Sequence, residues 1–549
     1  MIVKAILFDT RSIQKYIFAG NRLKTNIGAS YLVEHLFDDL LVKVLKEVCT
    51  DADVACVEAP AAVKAFSDCG KAVQLSYAGG GNAMVLLNTG ELGEENAVSL
   101  ARNIVACFSR EVLVSRPGLH IGVAVGDLDL ENYQASRKAL IEEQKRVQRT
   151  VFPTANVAYT GLTHLCDIDG QVANAVDTAG MLKGTSGHRY FSQEAMAKAR
   201  VAEEANAVLC EEFSSVLAGK AYRFPLEFDD LGMETGMNYM AIVHVDGNNM
   251  GKKFTELDSL EKYCALSAAV KKKTKKAFAK LLNTIVEEYD SYGEKGAGGQ
   301  AVLKLEKGVL PIRPLILGGD DVTFICPAKM ALAYTSRFMK FMEETDSSIS
   351  EEAAQSIDCC GGVALLKTSY PFFRGYQLAE QLCDSAKREM RKIGKSSWLD
   401  FLLLHGEQAP ALEQILETEF RGVQGRLHFG PYRVNNSAGK GKRKNLENLV
   451  LCAKRLGAKR GQSKETSSMA RSRAKELRRV LQLDAAAVQS FLQQLEHVEK
   501  HRLEGIPDWE VFEKNLFNLE ASPENRETPY VDAIEMADFL EGFEEVTEG

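Results

Sequence analysis

Three aspartates stand where strands must end. Asp246 closes "MAIVHVDG" (240–247), and Asp320 and Asp321 lie between "RPLILGG" and "DVTFICP". If the chain brings them together, like charges at short range raise one another's pKa unless a cation intervenes. A hard divalent ion such as Mg²⁺ or Mn²⁺ removes that conflict, because it binds carboxylate oxygens and leaves positions for water and phosphate. Two such ions about 3.5 to 4 Å apart stabilise the attacking and leaving oxygens of an in-line phosphoryl displacement. The flanking residues suit an anion. "DGNNMGK" (246–252) follows a strand with small, turn-forming residues, so the backbone N–H groups of Gly247, Asn248, Asn249 and Met250 can line an anion-binding concavity. Lys387, in "SAKREM", can meet a triphosphate as a point charge. A GGDD tetrapeptide or a helical lysine alone is commonplace. A strand-terminal aspartate, a GGDD hairpin and a later helical lysine, in that order within one unit, is far more specific.

The elements that must position these residues follow from hydrophobic periodicity. The strand 240–247 is followed by a helical stretch from about 257 to 289. The two strands around the aspartate pair come next, joined by a turn in which Gly318 and Gly319 can take positive φ. A helix (about 329–345), the strand "CCGGVALL" (359–366) and a helix "GYQLAEQLCDSAKREM" (375–390) complete the unit. The first half repeats the order: strand "VKAILFD", helix "GASYLVEHLFDDLLVKVLKEV", strands "KAVQLSYAG" and "NAMVLLN", a helix near 93–114, strand "LHIGVAVGD" and a helix near 131–149. Asp9 answers Asp246, and "GGGN" (79–82) answers "GGDD" (318–321). The expected architecture is α+β, with two ferredoxin-like units. Their bounds are 1–150 and 236–402, separated by a linker and insertion (151–235) and followed by a mostly helical region (403–549).

At 549 residues with 26% charged and 45% hydrophobic residues, the chain has the composition of an ordinary globular protein. No apolar run reaches the length of a membrane span. The twelve cysteines form no CxxC pair, which fits a reducing, cytoplasmic location. The formal net charge of -8 argues against a surface that coats nucleic acid throughout. Residues 421–480 reverse that sign, with 17 Lys or Arg against three acids. Such a block can contact RNA phosphates, or it can be a solvated helical face balanced by the acidic segment after residue 481.

At these motifs the sequence resembles the large subunit of type III CRISPR effector complexes, a family of palm-domain polymerases and cyclases. "FDTRSIQKYIFAGNRLKTNIGASYLVEHLF" looks like its first palm domain, and "HVDGNNMGKKF", "LILGGDDVTFICP" and "FRGYQLAEQLCDSAK" look like its second. The resemblance implies a nucleotidyltransferase that joins ATP into cyclic oligoadenylate. It implies metal binding by Asp246, Asp320 and Asp321, phosphate contacts from Gly247 to Met250, and a triphosphate contact from Lys387. Guide or target RNA and other effector subunits would meet the helical region and the basic stretch 421–480. A stand-alone cyclic dinucleotide synthase, acting as a homodimer, and a non-catalytic scaffold subunit remain as alternatives.

The chain departs from the family pattern in places. Asn248 stands where the family often has aspartate. Gly81 and Asn82 stand where the second unit has Asp320 and Asp321, so the first unit is expected to hold no catalytic metal and Asp9 to be structural. No His-Asp dipeptide occurs, so the HD-type nuclease of many relatives is not expected. "GLTHLCDIDGQVANA" looks like the family's small zinc-binding insertion, but it offers only His164 and Cys166. Four ligands are usual for structural zinc, so a metal-free insertion is expected.

Overall fold

The computed structural model describes residues 1–49, 54–56, 71–79, 81–150, 161, 163–182, 187, 189–217, 221–233, 238–293, 302–406, 411–435, 441–457, 469–496 and 500–540. Gly80 of the first-half glycine turn, residues 436–440 of "NNSAGKGKRKN", and Lys459, Arg460 and Lys464 of the basic block lie outside them.

Two antiparallel-centred sheets organise the chain. The first comprises β1 (Ile2–Arg11), β2 (Val54–Cys56), β3 (Val73–Gly79), β4 (Asn82–Leu87) and β5 (His120–Asp129), in the order β2-β3-β4-β1-β5. A two-stranded ribbon, β6 (Ala175–Val176) with β7 (Tyr190–Phe191), lies in the insertion. The second sheet comprises β8 (Tyr239–Gly247), β9 (Arg313–Gly318), β10 (Asp321–Pro327), β11 (Cys359–Lys367), β12 (Trp398–Leu403) and β13 (Tyr432–Arg433), in the order β13-β12-β11-β8-β10-β9.

The common part of the two orders, hairpin, first strand, fourth strand, is the repeat read from the sequence, and its register repeats too. Asp9 lies opposite Asn82 in β1–β4, as Asp246 lies opposite Asp321 in β8–β10.

The strands form because their apolar residues are buried on both faces. β8 is buried from Met240 to Val245, and β10 from Val322 to Pro327. Each sheet is covered by helices. Leu260–Tyr292 and Ala331–Glu343 pack together over the second sheet, and Phe372–Ile393 lies along β11 and β8. Aromatic rings join the two halves. Phe18 sits 4.2 Å from Tyr376 and 5.3 Å from Phe372, centroid to centroid.

Besides the short β2, β6 and β7, two strands of the second sheet were not legible as strands. β12 pairs parallel to β11 and is wholly buried. Its run "WLDFLL" lacks the alternation of a half-exposed strand, because parallel strands are covered on both sides. β13 is a two-residue pairing inside the region expected to be helical, at Trp398↔Arg433 and Leu399↔Tyr432, too short to carry any period. In the insertion, Cys166 packs with Ile168, Phe191 and Met196, and burial pushes its thiol pKa up.

The basic block is largely answered within the chain. Lys442 pairs with Asp508 at 2.6 Å, Arg478 with Glu535 at 2.9 Å, Arg421 with Glu417 at 3.3 Å, and Arg471 with Asp538. Most of these acids belong to the segment after residue 481. None of the described helices is long and apolar enough to cross a membrane.

A buried charge network ties the C-terminal region to the second sheet. His428 Nε2 lies 2.9 Å from Asp400 on β12, and its Nδ1 lies 3.0 Å from Asp532 on the helix Tyr530–Met536. Tyr432 Oη and the Phe429 and Gly430 amides donate to the other Asp532 oxygen. Burial alone would lower the imidazole pKa, but the two carboxylates outweigh it and hold His428 well above its ordinary value. Because the folded value exceeds the unfolded one, about 6.5, this stabilisation is complete below about pH 6.5. It is lost as pH rises through the folded value. His428→Gln should therefore cost about 3–5 kcal/mol at pH 6 by leaving two buried carboxylates without their cation, and should flatten the alkaline loss of stability. Urea titration followed by fluorescence reads this directly, since both tryptophans, Trp398 and Trp509, are fully buried in this region.

Candidate active site

Strand register gathers the aspartates. Asp321 lies directly opposite Asp246, and Gly318 opposite Asp321 closes the β9–β10 hairpin over a two-residue turn of Gly319 and Asp320. Gly319 has φ 65°, as such turns require of one residue. Its carbonyl accepts a 2.5 Å hydrogen bond from Thr274 Oγ1 on the long helix Leu260–Tyr292, which holds the hairpin tip in place. The turn after β8 comes so close that the Gly247 N–H donates to the Asp320 carbonyl at 3.2 Å. A Cβ on Gly247 would lie 2.9 Å from that of Asp320. A larger residue at 247 would push the two turns apart.

Each carboxylate has a different electrostatic setting. Asp246 Oδ2 lies 2.5 Å from Lys387 Nζ. Burial lowers the Lys387 pKa, but the Cys383 thiol and the Asp246 carboxylate more than reverse that, so the net shift is upward. Asp321 Oδ1 is buried 3.3 Å from His244 Nδ1, without an aligned hydrogen-bond donor. Despite its burial, His244 is pushed well above its usual pKa by Asp321 and Cys383. Asp320 is pushed up to about 6, first by burial and then by the Asp246 charge. The oxygens are not drawn into one tight cage. Among the described residues, the trio of His, Cys or acidic side chains with ligand atoms all within 4.8 Å of one another is His35, Asp38 and Asp39. Asp246 and Asp321 instead each hold a cationic side chain. An orphaned carboxylate oxygen, a repelled and partly protonated neighbour and an all-oxygen donor set fit a hard divalent cation.

The turn 247–250 differs from the expected four-amide cradle. Gly247 N–H is spent on Asp320, and Asn248 N–H donates to the Asp358 carbonyl at 2.8 Å. A tight turn between two strand ends must satisfy its own backbone first. The amides that remain as candidates for phosphate are those of Asn249, the N-cap residue of the helix Met250–Thr255 with φ 61°, and of Met250 in its first turn. The Asn248 side chain is buried and reaches the Ser396 carbonyl at 3.4 Å, away from the carboxylates.

The hairpin opens onto a cleft of about 430 Å³ between the two halves. Thr10, Ser12, Gly79 and Gly81 line one wall, and Gly318, Gly319, Asp320 and Asp321 the other. In the first half, Asp9 accepts from Gln148 Nε2 at 2.9 Å and has its pKa raised by burial, and Asn82 faces it. Among the described residues, the strand ends of that wall hold Asp9 and Asn82 in place of the aspartate pair, while Glu34 and Asp38 line the cleft from the neighbouring helical segment. Three contributors were not singled out in the sequence. His244 precedes Asp246 by two residues and so shares its face of the strand, which was the available signal. Thr274 and Lys271 sit in "KKKTKK", a run that reads as a solvated helical face, yet Lys271 borders the cleft and Thr274 is fully buried.

Residues 239–394 match the family model described as Cas10/Cmr2, second palm domain. Among curated proteins nothing matches the chain. Among solved structures, the chain resembles the Csm1-Csm4 cassette in complex with cA4 at 14% identity and TM-score 0.52, over 97% of this chain and 69% of that one. It resembles the same cassette in complex with pppApApA at 13% identity and TM-score 0.53, over 98% and 69%. Csm1 in T. onnurineus is similar at 14% identity and TM-score 0.50, over 98% and 69%. Residues 239–394, with Asp246, Asp320 and Asp321 at the rim of their sheet, thus match the Cas10/Cmr2 second palm domain within a chain whose fold is similar to these Csm1 structures.

Proposed function

We propose that the chain is a nucleotidyltransferase that joins ATP molecules and closes the product into a cyclic oligoadenylate. The observation that carries this reading is the β8–β10 register, which sets Asp321 opposite Asp246 with Asp320 at the adjoining turn, at the mouth of a cleft between two palm-like halves. The neighbouring structures fit it, since those cassettes are in complex with ATP, AMPPNP, pppApA, cA3 and cA4. On this reading the first half is a palm without its acid pair, residues 151–235 are a degenerate insertion, and the helical C-terminal region meets other subunits of an effector complex.

Asp246, Asp320 and Asp321 would hold Mg²⁺ or Mn²⁺. When bound, the metal lowers the pKa of the attacking 3′-hydroxyl and offsets the triphosphate charge. The protein positions. Thr274 fixes the hairpin tip, Gly318 and Gly319 let a nucleotide come close to the backbone, and the Asn249 and Met250 amides face the phosphates. Lys387, once released from Asp246, supplies a positive charge to the triphosphate. His244 holds Asp321 from beneath. No side-chain base is needed, because positioning and electrostatics carry phosphoryl transfer.

Asp320→Ala with Asp321→Ala should abolish product from ATP and Mg²⁺ while leaving far-ultraviolet circular dichroism unchanged. Product chromatography also separates this reading from cyclic dinucleotide synthesis, which would use GTP or stop at two units. Unchanged turnover in the double variant would place the chemistry elsewhere.

A second expectation needs no turnover. Burial and the Asp246 charge push the Asp320 pKa in the folded, metal-free protein up to about 6, from an ordinary 3.8. The cost of ionising it is therefore absent below about pH 4 and complete above about pH 6. Asp320→Asn should raise metal-free stability at pH 8 by about 1–2 kcal/mol and leave it little changed at pH 4. Added Mg²⁺ should stabilise the native protein more than the variant, as thermal midpoints would report.

A further inference from the structure

Beside the catalytic cleft lies a second cavity of about 370 Å³, bounded by the helices Leu23–Glu34 and Ala202–Glu212 and by β9. The two communicate. Ser30, Glu34, Asp38, Lys271 and Leu317 line both. The acids of the second cavity, Glu34, Asp38, Glu211 and Glu212, are all exposed at its mouth, and Glu212 is paired with Lys275. Its depth has the opposite character. Arg313 lines it while only 3% exposed.

The situation of Arg313 is unusual for a guanidinium. One Nη donates to the Asn206 side-chain oxygen, the group stands 5.8 Å over the Phe224 ring, and Nε has no partner. No carboxylate pairs with it among the described residues. Burial brings its pKa down to about 9. A buried charge without a counter-ion is costly, and the planar fork of an arginine matches phosphate oxygens. The walls suit a base. The Tyr31 and His35 rings lie 4.3 Å apart, centroid to centroid, with Pro314 and Leu315 nearby. The volume is that of a small-molecule site.

We propose that this cavity binds the nucleotide unit adjoining the reacting one, with its phosphate on Arg313 and its base against Tyr31 and His35. The ligand class is a linear, phosphodiester-linked adenylate whose other end occupies the catalytic cleft. This rests on the oligoadenylate reading, because a chain that lengthens before it closes needs a place for the unit already joined. Lys271, bordering both spaces, meets the phosphate between the two units. No bond is made or broken in the second cavity; it holds one end of the chain while the other reacts.

The test compares two unreactive probes by calorimetry on the full chain: AMPPNP, and a 5′-triphosphorylated adenylate dinucleotide ending in a 3′-deoxy residue. Arg313→Met, which keeps the volume and removes the lone charge, should weaken dinucleotide binding about 10- to 100-fold, as loss of a charge-assisted hydrogen bond does, and leave AMPPNP affinity unchanged. Val208→Trp, which fills the same cavity from a partly exposed position, should do likewise and covers the case in which Arg313→Met fails to fold. Equal affinity of a folded variant and the native protein for the dinucleotide overturns the proposal. So does equal weakening of both probes, or failure of the native protein to bind the dinucleotide. If the native protein joins no ATP, the enzymatic reading fails, and the probe comparison still decides whether the cavity is a nucleotide site.

Discussion

One antiparallel register governs the candidate site. Because side chains alternate across a strand, a one-residue slip between β8 and β10 would turn Asp321 to the opposite face from Asp246. The chain guards that register from several sides. Apolar residues of β8 and β10 are buried throughout, the Gly319–Asp320 turn fixes the hairpin, and Thr274 anchors the turn from a helix more than forty residues earlier. Gly247 adds a steric condition, since the two turns meet at a distance that admits no side chain there.

A repeated strand order gives this arrangement its second wall. The first half repeats the register with Asp9 and Asn82 in place of the acid pair, so a cleft arises between two similar surfaces of which one carries the GGDD hairpin. The satisfied hydrogen bond of Asp9 to Gln148 is what a strand-terminal aspartate does when nothing across from it repels it. Asp320, with the Asp246 charge close by, is pushed instead towards its neutral form.

Much of this was readable in the residues. The order of elements, the pairing of GGDD with the strand ending in Asp246, and the correspondence of "GGGN" with "GGDD" all follow from periodicity and turn chemistry, which are local. What escaped was set by tertiary contact. "WLDFLL" shows no alternation because both faces of β12 are covered. Lys271 and Thr274 look like part of a solvated lysine run, but the long helix that carries them is wedged against the hairpin. Arg313 opens an ordinary apolar strand, and nothing in "RPLILGG" reveals that its charge is buried without an acid. The amides of Gly247 and Asn248 were assigned to phosphate from sequence, whereas the tightness of the turn commits them to backbone carbonyls.

The contact between Lys387 and Asp246 has a thermodynamic corollary. On the proposed reading the ammonium is a resident counter-ion of Asp246, one that a divalent ion held there would displace. The displaced ammonium would then be shared between Asp384, 3.9 Å away, and the phosphate of a bound nucleotide. Metal and nucleotide would thus each raise the other's affinity by the same factor, and neither alone would find the pocket at its most receptive.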